Sequence, residues 1–129
     1  MAKTLNDFVN EALKAIEEIP IEEAVRILEQ PDREGWTFLD VREGEEFAKG
    51  RIPGARNSPR GFLEVRADLE HHKRDPWFAD RDRKLILYCG GGNRSALATR
   101  TLKEMGFTRT VSMAGGWKVW EDRKLPIET

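Results

Sequence analysis

The 129-residue sequence predicts an α/β protein in which a parallel sheet is wrapped by helices on both faces. Three observations carry that prediction. Amphipathic segments with three- and four-residue apolar spacing alternate with short, mostly apolar runs. The clearest runs, 36–41 and 84–89, lack the two-residue alternation of a half-exposed strand and suit strands covered on both faces. Each run then leads into a helical segment, as parallel crossover connections require.

Residues 4–18 read as an amphipathic helix with Leu5, Phe8, Val9, Ala12, Leu13 and Ile16 in one stripe. Thr4 and Asp7 resemble a capping box, and Pro20 ends the helix. A second helix, 21–30, carries Glu22 and Glu23 in its first turn, where the helix dipole favours acids, and closes at Pro31. After strand 36–41, Arg42 to Phe47 start a short helix with Gly50 as its stop. Ile52-Pro53-Gly54-Ala55 turns into a short strand near 55–58. Residues 60–72 read as a helix offering Phe62, Leu63, Val65, Ala67 and Leu69 for burial, and the charged stretch 71–83 as a loop anchored by Trp77 and Phe78. Strand 84–89 passes through three glycines into helix 95–105, closed by Gly106. A strand over 110–113 precedes Gly115-Gly116, which open a final helix with Trp117, Val119 and Trp120.

Composition bounds the function. A net charge of −1 gives no general attraction to nucleic acid or to an anionic membrane. No apolar run approaches the roughly 18 residues that span a bilayer. The N-terminus carries acids and has no apolar signal region. With one cysteine no intrachain disulfide forms, and a reducing, cytoplasmic setting is expected. That cysteine and the adjacent His71 and His72 do not make a zinc site, and no metal or cofactor is expected.

The chemistry concentrates in Cys89-Gly90-Gly91-Gly92-Asn93-Arg94-Ser95, at the carboxyl end of a strand, where parallel sheets bind ligands. Three glycines let the loop curl so that successive N–H groups face its centre, and a side chain at Gly91 is expected to block that curvature. The nest runs into a helix N-terminus, and a cysteine at its rim is stabilised as the thiolate, the reactive form. Arg94 adds a planar fork of donors for an anionic substrate. The bland reading is a glycine-rich turn beside a small, inert core cysteine.

The segment Cys89-x-x-Gly92-x-Arg94-Ser95 resembles the active-site loop of the rhodanese family. Four further segments match in order: Leu39-Asp40-Val41-Arg42 with Glu46-Phe47; Gly50-Arg51-Ile52-Pro53-Gly54-Ala55, with Arg51 where the family often has His; Gly106-Phe107; and Gly115-Gly116-Trp117-x-x-Trp120. The matches run from about residue 18 to 124, so 1–18 is expected to be an N-terminal helix and 19–129 the rhodanese domain. The resemblance implies a three-layer α/β/α fold with a five-stranded, mostly parallel sheet. It also implies a sulfurtransferase in which Cys89 takes sulfur from thiosulfate or a similar donor, holds it as a persulfide, and passes it to a thiol or protein acceptor. Gly90, Gly91, Gly92, Asn93, Arg94 and Ser95 would then bind substrate.

Asp40, Arg42 and Glu46 match signature positions of the family, and a buried ion pair between one of these acids and Arg94 or Arg42 is expected to fix the loop in a supporting role. Arg60 either faces the mouth and recognises an anion or stays at the surface. Trp117 either walls the pocket or packs in the core. Two other functions compete. Related enzymes of this fold, phosphatases and arsenate reductases, use a Cys and Arg separated by five residues, whereas four separate Cys89 from Arg94. A sulfur-carrier or binding module is the other rival.

Overall fold

The computed structural model describes residues 2–129. Helix α1 (Leu5–Ala15) opens on a capping box in which Thr4 and Asp7 exchange both hydrogen bonds. There follow β1 (Glu17–Ile19), α2 (Ile21–Leu28), β2 (Trp36–Asp40), α3 (Gly44–Lys49), β3 (Arg56–Asn57), α4 (Leu63–Ala67), β4 (Lys84–Tyr88), α5 (Asn93–Glu104), β5 (Arg109–Met113) and α6 (Gly116–Asp122). The sheet order is β1-β5-β4-β2-β3 with every pair parallel. No helix among the described residues is long and apolar enough to cross a membrane.

Two segments differ from the sequence-based expectation. Residues 17 and 18 leave the first helix: Ile16 is extended, and Glu17 and Ile19 pair with Val111 and Met113 as an edge strand. The edge needs no further N–H donor from Pro20. The expected division between residues 18 and 19 therefore falls inside β1. Residues 60–72 are not one helix. A 3-10 turn, Arg60–Phe62, precedes α4, which stops at Ala67 as Asp68 becomes extended. Only Leu63 and Ala67, one turn apart, reach the core, while Phe62 and Leu69 stay exposed, so a longer helix would gain little burial.

Neighbouring residues of β4 feed opposite cores, which is why that run is apolar throughout. Leu85, Leu87 and, one step beyond the strand, Cys89 pack with Leu63, Ala67, Ala98 and Leu102 of α4 and α5. Ile86 and Tyr88 pack with Ile21 and Ala24 of α2 and Trp120 of α6. Helix α1 covers α5 through Val9 and Ala12 against Ala96. The result is the three-layer α/β/α arrangement with five strands.

The carboxyl edge of the sheet is braced by a buried ion pair. Arg42 Nη2 donates to Asp40 at 2.7 Å and to the Gly50 carbonyl at 2.7 Å. The Arg42 guanidinium also lies 4.6 Å from the centre of the Trp117 ring. One guanidinium thus joins the end of β2, the Gly50 turn and α6. Burial opposes the Arg42 charge, but the Asp40 hydrogen bonds and charge outweigh it and raise the Arg42 pKa. Burial, and then the Asp40 charge, push the Tyr88 hydroxyl far above the phenol range. Its oxygen accepts the Ile52 N–H. Asp40→Ala leaves Arg42 buried without its counter-charge and should cost about 3–5 kcal/mol in urea unfolding; a loss of under about 1 kcal/mol would contradict this bracing role.

Candidate active site

Cys89 follows β4 directly, at the carboxyl end of the sheet. Its sulfur accepts two main-chain hydrogen bonds, from Gly92 N at 3.1 Å and Ser95 N at 3.2 Å, and lies 3.4 Å from Ser95 Oγ. Gly92 is the N-cap of α5 with φ 104, a left-handed conformation that favours glycine. Through it the chain reverses, so that the first turn of α5 presents N–H groups to the sulfur. The N–H groups of Gly90, Gly91, Asn93 and Arg94 make no hydrogen bond to protein among the described residues.

Two expectations change. The sulfur does not sit on the rim of the loop but on its floor, with Cys89 only 1% exposed. The strand's alternation carries the side chain toward the core of α4 and α5, and the loop folds over it. Nor does Gly91 need to be glycine. Its φ lies outside the left-handed region, and a Cβ there would meet nothing within 4 Å. Of the three loop glycines, Gly92 alone has a left-handed φ.

The glycine that the loop depends on most lies elsewhere. Gly116, at the start of α6, has φ 65, and a Cβ on it would lie 2.6 Å from both the Cys89 and Gly90 carbonyl oxygens. The approach is close because Trp117 N donates to Cys89 O at 2.7 Å and Lys118 N to Gly90 O at 3.1 Å. In a trans peptide the carbonyl and the next N–H point oppositely. Holding these two carbonyls toward α6 turns the Gly90 and Gly91 N–H groups away from it. The double glycine was visible in the sequence, but only as a helix opening.

Arg94 lies against the loop, its Nη2 3.0 Å from where a Cβ on Gly90 would stand, and it is paired with Glu46. Nη1 donates to Glu46 Oε1 at 2.8 Å and Nη2 to Oε2 at 3.3 Å. Glu46 is held below the usual carboxylate range first by the Arg94 hydrogen bonds, with help from the Glu43 N–H, and Glu46 raises Arg94 in turn. The expected buried ion pair is that of Asp40 with Arg42, and a second, half-exposed pair joins Glu46 to Arg94. Arg60 is not at the loop: it binds Glu64 at 2.8 Å and Thr101 on the third turn of α5 at 3.3 Å. Arg51 pairs with Glu128 and lies over the Phe47 ring, so it adds no free charge near the sulfur. Trp117 is a core residue with Tyr88 and Trp120. One of its edges lines a cleft of about 240 Å³ with Arg42, Glu46, Lys49, Gly50 and Glu121. A larger hollow, about 650 Å³, lies at the opposite edge of the sheet among Glu17, Trp36, Phe107 and Arg109, away from the nucleophile.

Residues 21–123 match the rhodanese-like domain family. A sulfurtransferase from Allochromatium vinosum is 30% identical over 96 residues, covering 74% of this chain and 81% of its own. A Bacillus subtilis protein named as a candidate sulfur carrier is 36% identical over 87 residues, 67% of this chain; the chain spans 42% of that relative's length. A solved structure from Rhodopseudomonas palustris, of unknown function and described as a possible tyrosine phosphatase, superposes with a TM-score of 0.90 at 32% identity, covering 99% of this chain and 96% of that one.

The geometry sets two tests. Gly116→Ala should destabilise by roughly 1–3 kcal/mol through backbone strain and displacement of the loop, while Gly91→Ala should leave the melting temperature unchanged. Equal effects of the two changes would contradict the assignment of Gly116. For Glu46, whose folded pKa is lowered, the stabilisation is complete above its unfolded value of roughly 4.3 and fades as pH falls through the lower folded value. The stability gap between the wild type and Glu46→Gln should therefore be full at neutral pH and close on acidification; a gap unchanged down to about pH 2 would contradict the pairing with Arg94.

Proposed function

This chain belongs to the rhodanese-like family, and from that membership we propose that it is a sulfurtransferase that carries sulfur on Cys89 as a persulfide. The observation that carries the proposal is the pair of N–H groups on the sulfur, with four more N–H groups of the same loop free of protein partners. Hydrogen bonds to a thiolate favour the nucleophilic form, and spare donors are what a second sulfur and a departing oxyanion require.

The Cys89 thiolate attacks the outer sulfur of thiosulfate. The bond between the two thiosulfate sulfurs breaks, sulfite leaves with the electron pair, and a new bond joins Cys89 Sγ to the transferred sulfur, which keeps the negative charge. An acceptor thiolate then attacks that sulfur, takes it as its own persulfide, and returns Cys89 to the thiolate. Because the outer faces of Gly91 and Gly92 are open, small anions can approach the loop over its glycine edge.

Phosphatase chemistry fits less well. It needs an arginine free to bind phosphate, and Arg94 is engaged by Glu46, in a loop with four residues between Cys89 and Arg94. A protein acceptor is compatible with the likeness to a sulfur-carrier relative.

Thiosulfate should add about 32 Da, one sulfur, to the intact protein. The adduct should disappear on adding cyanide or a thiol and should not form in Cys89→Ser. Absence of the adduct in the wild type would refute the persulfide, and phosphate release from an aryl phosphate that is lost in Cys89→Ser would favour the phosphatase instead.

A further inference from the structure

Beneath the sulfur lies a buried hydroxyl that the transfer steps do not use. Ser112 stands on β5 opposite Leu87, on the same face of the sheet as Cys89, and is fully buried. Its hydroxyl has one partner among the described residues, Ser95 Oγ at 3.0 Å. Ser95, equally buried, reaches Gly92 O at 3.2 Å and Cys89 Sγ at 3.4 Å.

A hydroxyl has one proton to give. With no other acceptor in reach, Ser112 gives its proton to Ser95 Oγ. The proton of Ser95 is then left with two destinations, the Gly92 carbonyl and the sulfur. While Cys89 is a neutral thiol, Ser95 donates to Gly92 O and the thiol proton can point at Ser95 Oγ. Once the sulfur is charged, a charge-assisted bond outcompetes a neutral one, and the Ser95 hydroxyl turns to it. The sulfur then has three donors: Gly92 N–H, Ser95 N–H and Ser95 O–H. An incoming donor also polarises the Ser95 hydroxyl and strengthens what it gives.

We propose that Ser112 is a positioning residue that holds the Ser95 hydroxyl as a donor to the charged sulfur of Cys89. Its consequence for the persulfide rests on the sulfurtransferase reading; its consequence for the thiolate does not.

The test is iodoacetamide alkylation of folded wild type, Ser112→Ala and Ser112→Thr from about pH 6 to about pH 10. The loss of one net hydrogen bond predicts that Ser112→Ala reacts about fivefold more slowly near neutrality and matches the wild type at the alkaline end, where the thiol ionises unaided. Ser112→Thr, which keeps the hydroxyl, should restore the neutral rate. In a Ser95→Ala background the Ser112→Ala change should add nothing. Superimposable profiles, an equal slowing at every pH, or additive slowing in the double variant would overturn the proposal. The two readings fail separately: no thiosulfate adduct in the wild type ends the sulfurtransferase reading and leaves the alkylation profiles to decide Ser112.

Discussion

The candidate site depends on a contact between two backbones. The first N–H groups of α6 hold the Cys89 and Gly90 carbonyls. Since peptide planes are rigid, fixing those oxygens fixes where the next N–H groups point. The cysteine loop is therefore not an independent motif. It is held from behind by the last helix, and the contact is close enough that only glycine fits at position 116. The left-handed turn at Gly92 does the complementary work in front, bringing the start of α5 onto the sulfur.

Charge in this region serves mainly to hold that geometry. Asp40 and Arg42 are both buried, and Arg42 reaches the Gly50 carbonyl and the Trp117 ring, which ties α6 to the end of β2. Glu46 occupies Arg94 at the side of the loop. Arg51 and Arg60 are likewise engaged by Glu128 and Glu64. Beside these pairs, the main-chain N–H groups of Gly90, Gly91, Asn93 and Arg94 have no protein partner among the described residues. Those groups are neutral, preorganised and fixed in place by the sheet.

Much of this was legible in the sequence. Apolar runs 36–41 and 84–89 gave the buried strands, and the glycine-rich stretch after Cys89 marked the loop at the sheet's carboxyl edge. The family signature positions pointed to one buried ion pair among Asp40, Glu46, Arg42 and Arg94, but which acid meets which arginine follows from the packing. What escaped depends on long-range packing. Glu17–Ile19 is too short and too charged to read as a strand, and it exists only because β5 offers an open edge. Ser112 carries no local signal: its relation to Ser95 follows from sheet register. The burial of Cys89 comes from strand parity combined with the closing of the loop, which place the sulfur on the floor of the nest and not at its rim. Arg60 was equally compatible with the mouth or the surface until α4 and α5 supplied Glu64 and Thr101.

The N–H groups on Cys89 are expected to make a nearly buried sulfur more reactive in the folded protein than in an unfolded chain. Burial alone would do the reverse, because it shields the atom and disfavours its charge. The second-order rate of Cys89 alkylation by iodoacetamide at neutral pH, in folded protein and in protein unfolded by urea, decides between the two. A faster rate in the folded protein is predicted. A cysteine that reacts only after unfolding would contradict activation of the sulfur by the fold.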